Sequence, residues 1–160
     1  MEEPKLTKSG GIAVDDRGSL RFVNDFDFAG VKRFYQVENH RRGFIRAWHG
    51  HLKEGKYVYV AAGTALIGAV PLVQSDDMNV PGGDYCIKEQ PKRFILSAKA
   101  PSVLYIPPGY ANGFQNLEEN TIVIFFSTTT LEESKGDDIR FPWNACDVFD
   151  RRGFWEEDYR

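Results

Sequence analysis

Turn-forming residues interrupt this chain at short intervals, and that punctuation constrains its fold more than any other feature. Gly10-Gly11, Asp15-Asp16-Arg17-Gly18, Gly43, Gly55, Gly63, Pro81-Gly82-Gly83, Pro107-Pro108-Gly109 and Gly136 divide it into short pieces. Between them lie runs rich in β-branched and aromatic residues, at 19–23, 31–37, 44–48, 57–61, 64–72, 94–96, 102–106 and 121–127. Several alternate or carry consecutive strand formers, as in Tyr57-Val58-Tyr59-Val60 and Ile122-Val123-Ile124-Phe125-Phe126. Helical periodicity is confined to a short window at 131–135. Many short strands at this spacing predict an all-β sandwich or barrel.

The length of 160 residues suits one domain with one core. Its 12 Phe, 7 Tyr and 3 Trp fit a strand-rich interior, because large rings pack well on pleated surfaces. A net charge of -3 offers no basic field to nucleic acid, so an anionic ligand has to be met by local Arg and Lys side chains. No apolar run reaches the ~18 residues that a membrane helix needs. The two cysteines, Cys86 and Cys146, have no paired metal-binding spacing and read as packing residues. The opening segment is charged, and the chain reads as cytoplasmic. Residues 1–13 are expected to be loosely ordered, and 74–89 to form a long polar hairpin excursion. The segment 141–160 holds Trp143, Phe149, Phe154 and Trp155 among many charges. So much aromatic mass predicts docking on the barrel or on a partner subunit.

Two stretches carry the chemistry. Gly43 is followed after five residues by His49-Gly50-His51, then by Lys56 and Gly63. Further on, Pro107-Pro108-Gly109-Tyr110-Ala111 leads to Asn112, and Asn116 closes the pattern. These spacings resemble the paired motifs of the cupin superfamily, and the resemblance implies a double-stranded β-helix, or jelly-roll, barrel. In metal-binding cupins the ligands are two His, a Glu and a third His. This chain has Lys56 in the Glu place and Asn112 in the third His place. An ammonium repels a cation and an amide is a poor ligand for a transition metal. Two His leave too few protein ligands for a firm site, so neither a metal nor another cofactor is expected. The set suits proton transfer beside a ketone, which needs a base near neutrality and a cation for the enolate oxygen. His49 or His51 can be that base. Lys56 can hold the enolate, and Arg46 can take a phosphate through its planar fork. Taken singly, each residue also has a plain structural reading; the shared spacing argues for the chemical one.

At these residues the chain is similar to the metal-independent sugar-nucleotide cupins. Asp15-Asp16-Arg17-Gly18-Ser19-Leu20, Val37-Glu38-Asn39-His40 and Gly43-Phe44-Ile45-Arg46-Ala47-Trp48-His49 resemble segments of the dTDP-4-dehydrorhamnose 3,5-epimerase family. So do Gly55-Lys56-Tyr57-Val58, Ile106 through Phe114, and Gly136-Asp137-Asp138-Ile139-Arg140-Phe141. The resemblance implies His49 as catalytic base, Arg46 and Arg17 on the phosphates, Lys56 on the substrate, and Asn39, Tyr110 and Asn112 as binding residues. It also implies a homodimer whose opening strand crosses to the neighbouring subunit, with a nucleoside-diphosphate sugar as substrate. The family's acid Tyr falls near Thr130 or Leu131, which points to epimerisation at a single carbon. Arg46-Ala47-Trp48-His49-Gly50-His51 and Lys32-Arg33-Phe34-Tyr35 also resemble the sugar 3,4-ketoisomerases. That resemblance implies catalytic roles for both His residues and offers Tyr35 as proton donor. A third reading is a cupin that binds a sugar nucleotide without turnover.

Overall fold

In the computed structural model, which describes residues 1–76, 83–87 and 90–149, the alternating runs pair into antiparallel sheets. In chain order the strands are β1 (Lys5–Ser9), β2 (Gly11–Asp15), β3 (Gly18–Phe22), β4 (Arg33–Glu38), β5 (Ile45–His51), β6 (Lys56–Ala62) and β7 (Thr64–Pro71). There follow β8 (Val73–Gln74), β9 (Tyr85–Cys86), β10 (Lys92–Ser97), β11 (Ser102–Ile106), β12 (Tyr110–Asn116) and β13 (Ile122–Ser127). A single-turn helix α1 (Leu131–Lys135) precedes β14 (Ile139–Arg140) and a 3-10 turn at Trp143–Ala145. The first sheet runs β1-β11-β6-β13-β4 and the second β10-β7-β12-β5-β14. Two separate hairpins, β2-β3 and β8-β9, complete the architecture. Among the described residues no helix is long and apolar enough to cross a membrane.

The two sheets share one core. Val58, Leu104 and Val123 from the first meet Ile67, Leu96 and Phe114 from the second, each at most 4% exposed. The first sheet shows the period of two that the sequence displays: β4 and β13 alternate between more and less exposed positions. The second sheet differs because both faces are covered at its centre, where β12 is buried at every position. Its outer face carries Ile45, Trp48 and Val70, sheathed by Phe141, Val148 and Phe149 from the segment after β14. Trp48 anchors that sheath: its indole N–H donates to the Trp143 carbonyl at 3.2 Å, and its ring centre lies 5.2 Å from that of Phe149. A side chain on Gly68 would meet the Trp48 ring at 2.7 Å, so glycine makes room for the indole.

Some expectations change here. The described part of the aromatic tail docks on its own chain, while Phe154 and Trp155 lie outside the described residues. Residues 5–9, expected to be loose, form β1 against the edge of β11. Pairing satisfies backbone groups that composition says nothing about. Residues 110–116, which fall outside the strand runs read from the sequence, form the central strand β12. The excursion at 74–89 begins and ends as the hairpin β8-β9, with its tip outside the described residues. The predicted helix stands at 131–135. Thr130 caps it in a reciprocal box with Glu133, whose carboxyl is held down at about 2 by the Thr130 N–H and by Lys32.

Candidate active site

Strand alternation places Arg33 and Tyr35 of β4 on one face, and His49 and His51 of β5 on another. These faces meet across a cavity of about 390 Å³ between the sheets, which Lys56, Asn112 and Arg46 also line. Arg46 and His49 are three residues apart, so a regular strand would turn them to opposite sides. The pairing with β12 resolves this: Phe114 opposes Arg46 and Asn112 opposes His49, three residues against two. That β-bulge shifts the parity and brings both side chains to one cavity. Leu131, Ser134 and Lys135 of α1 border the same space.

The two histidines are held differently. His51 is buried, and both its nitrogens have partners. Nδ1 donates to the Asp137 carbonyl at 2.6 Å, and Nε2 accepts from the Lys56 ammonium at 2.8 Å. Burial and then the Lys56 charge push His51 below its usual range, so it stays neutral. His49 is the freer ring. Its Nδ1 faces Asp138 Oδ1 at 3.4 Å, which leaves Nε2 as the free nitrogen. Burial lowers His49, while Asp138 acts the other way. Burial alone would raise Asp138, but the hydrogen bond from Arg140 and the nearby His49 hold its carboxyl below the ordinary value. A neutral imidazole with one nitrogen tethered to a carboxylate is the arrangement of a general base.

Around Lys56 the chain has built a buried charged cluster. Burial brings its ammonium down to about 8, with Glu54 as the leading opposing influence. Asp137 fixes the turn that carries these groups, its carboxylate accepting from the N–H groups of Leu52, Lys53 and Glu54 at 2.8, 2.9 and 3.0 Å. Burial pushes the Tyr35 phenol up, so it remains a donor; its ring stacks on Phe125 at 5.2 Å and has the Arg33 guanidinium 5.0 Å from its centre. Among the described residues no cluster of three or more His, Cys, Asp or Glu could hold a metal ion.

Of the residues singled out from sequence, Tyr35, Arg46, His49, His51, Lys56 and Asn112 converge on this cavity. Asn112 also clasps β5 by donating to the His49 carbonyl at 3.1 Å. Asn39 is buried and bonds Phe44 O and Asn116 Oδ1, while Tyr110 packs in the shared core. Arg17 stands on the exposed β2-β3 hairpin, paired with Asp15, outside the cavity of its own chain. Sequence reasoning missed Asp138, Asp137, Glu54 and Arg33 as members of the site. The available signal was the Gly136-Asp137-Asp138-Ile139-Arg140 stretch; β14 pairs Arg140 with His49 and so delivers Asp138 to the imidazole.

Comparison with known proteins bears on the fold and the family. The chain is 26% identical over 150 residues to the spore coat polysaccharide biosynthesis protein SpsL of Bacillus subtilis (strain 168), covering 91% of each. Its fold is similar to that of ChmJ, a 3'-monoepimerase from Streptomyces bikiniensis (TM-score 0.70, 17% identity, 99% of this chain and 78% of that one). It is also similar to the QdtA 3,4-ketoisomerase from Thermoanaerobacterium thermosaccharolyticum (TM-score 0.61, 19% identity, 97% and 99%). The model of the dTDP-4-dehydrorhamnose 3,5-epimerase family matches residues 12–149, which include every strand of the two sheets except β1 and every residue of the cavity. The chain belongs to the dTDP-4-dehydrorhamnose 3,5-epimerase family.

Proposed function

We propose that this sugar-nucleotide isomerase is a metal-independent epimerase that inverts one carbon beside the 4-ketone of a dTDP-linked 6-deoxy sugar. The observation that carries this reading is the His49–Asp138 pair opening on a cavity that also holds Lys56 and Tyr35. His49 Nε2 takes the proton alpha to the ketone, and Asp138 stabilises the imidazolium that forms. The Lys56 ammonium meets the negative charge that develops on the ketone oxygen. Tyr35 returns a proton to the carbon, in place of the family's Tyr, because Leu131 borders the cavity where that phenol is expected. Arg46 holds the diphosphate. His51 orients Lys56 and leaves the base role to His49, since its own Nε2 is engaged.

Several further elements accompany this reading. The two facing sheets are taken as a single-domain cupin jelly roll in a cytoplasmic enzyme. The β2-β3 hairpin exposes Val14 at 75% and Leu20 at 64%. Apolar exposure of that kind favours a homodimer in which the hairpin crosses and brings Arg17 to the partner's diphosphate. The two site-lining His residues and Tyr35 also suit 3,4-ketoisomerisation, which is the second reading.

The test is NMR of the purified protein with dTDP-4-keto-6-deoxyglucose in deuterated water. Deuterium at C3 or C5 with the 4-ketone retained is the expected result, and it names the carbon. A ketone moved to C3 makes the protein a ketoisomerase. No exchange, with dTDP still bound, makes it a binding protein or assigns it another sugar. His49→Asn is expected to abolish exchange while dTDP binding persists, and undiminished exchange removes His49 from the role of base.

A further inference from the structure

Glu54 has a buried charge that the steps above do not use. Its side chain is 0% exposed and does not line the cavity. Oε1 accepts from Arg33 Nη2 at 3.2 Å and lies 3.9 Å from Lys56 Nζ, while Oε2 lies 3.6 Å from His51 Nδ1 and has no hydrogen-bond donor. A fully buried carboxylate with one oxygen unpaired is a costly feature for a strand turn, and a hydrophobic residue would pack there more cheaply. The backbone is nevertheless braced to keep it in place, because Asp137 holds the Glu54 N–H at 3.0 Å.

We infer that Glu54 is a positioning residue, whose buried carboxylate, 3.9 Å from Lys56 Nζ, keeps the ammonium charged beside the reacting oxygen without touching the substrate. The inference rests on the reading above, in which Lys56 meets the enolate. The groups facing Lys56 come from every element around it. Arg33 of β4 repels the ammonium, and the histidines of β5 remain neutral. Asp137 and Asp138 attract it, but Asp137 is engaged by three backbone N–H groups and Asp138 by Arg140 and His49. Tyr35 keeps its proton. Glu54 is therefore the leading counter-charge, and the only buried one that no backbone group shares among the described residues. Without it, burial and Arg33 drive Lys56 further below its present value of about 8.

The sign of the pH effect follows. Lys56 acts as its ammonium, so turnover is lost as pH rises through the Lys56 pKa, and a lower pKa moves that basic limb to lower pH. Two readouts test this with wild type, Glu54→Gln and Glu54→Asp. One is the pH profile of deuterium wash-in from solvent to the proposed substrate. The other is the titration of Lys56 in the free protein by NMR of 15N-labelled lysine, assigned with Lys56→Met. The Gln variant is expected to move both the limb and the Lys56 titration down by about one pH unit or more, and the Asp variant by less than about half a unit. A Gln variant with both unmoved, however inactive, overturns the inference and leaves Glu54 a structural residue. If the Gln variant does not fold, wild type still decides: a Lys56 already neutral at pH 7 overturns it, as does an Asp variant displaced by a full unit. Absence of deuterium exchange in wild type counts against the proposed reaction, while the lysine titration continues to judge Glu54.

Discussion

Replacing Asp138 with Asn tests the catalytic pair most directly, because an amide oxygen can still accept from His49 Nδ1 while the charge is lost. The His49 tautomer is retained, while the amide NH2 then faces Arg140 where Oδ2 had accepted, so the loss of that bond accompanies the loss of charge. At the 3.4 Å separation, a carboxylate and an imidazolium attract by about 1.2 kcal/mol in water and about 4.9 kcal/mol at an effective dielectric of 20. The side chains are 37% and 28% exposed, so solvent screening brings the usable range to about 1–2.5 kcal/mol. That range corresponds to a fall of about five- to seventyfold in the rate of proton abstraction, which builds the imidazolium. The pH profile moves in a defined direction as well. His49 acts as its neutral form, so activity falls as pH drops through its pKa. Asp138 raises that pKa against the effect of burial. Its loss therefore moves the acidic limb to lower pH while the plateau falls. Deuterium wash-in measured from pH 5 to 9 reads both quantities. A plateau within twofold of wild type and an unmoved acidic limb would refute the pairing, and a limb moved upward would refute the assigned sign.

Other substitutions probe separate parts of the argument. Phe149→Ala, at a site 6% exposed, is expected to destabilise the protein by about 3–5 kcal/mol in urea unfolding, because it uncovers Trp48 and the outer face of the second sheet. A loss below about 1 kcal/mol means that the sheath does not bear on the core. Arg46→Ala is expected to weaken dTDP binding about tenfold or more by calorimetry, the worth of one charge-assisted hydrogen bond. Unchanged affinity moves the diphosphate elsewhere. Prolonged treatment with a chelator is expected to leave deuterium exchange intact; loss that added metal restores overturns the metal-free reading.

The sequence and the structure agree most closely where one face of a strand is buried and the other is wet. Tyr57-Val58-Tyr59-Val60 and Ile122 through Phe126 were legible as strands for this reason, and both stand in the first sheet. The central strand β12 was not legible. It carries Gly113, Asn112 and Asn116, residues depleted from strands, and it is buried on both faces, which erases the period of two. Neighbours β7 and β5 impose its extended form through their ladders.

The same contrast runs through the site. Motif spacing brought forward His49, His51, Lys56 and Arg46, and the family resemblance added Tyr35, because strand parity and family pattern are local properties that survive without coordinates. The sequence by itself also determined the all-β class, through the rhythm of turns. Tertiary structure decided which histidine is free. A lysine five residues away occupies Nε2 of His51, whereas a strand about ninety residues away brings Asp138 to His49. The bulge that turns Arg46 to the cavity exists only in the register between β5 and β12. The value of Glu54 likewise depends on Arg33, Lys56 and His51 arriving around it from β4, β6 and β5. Hydrogen bonding, desolvation and charge coupling act over a few ångströms of space, and sequence distance carries no information about that range until the chain has closed on itself.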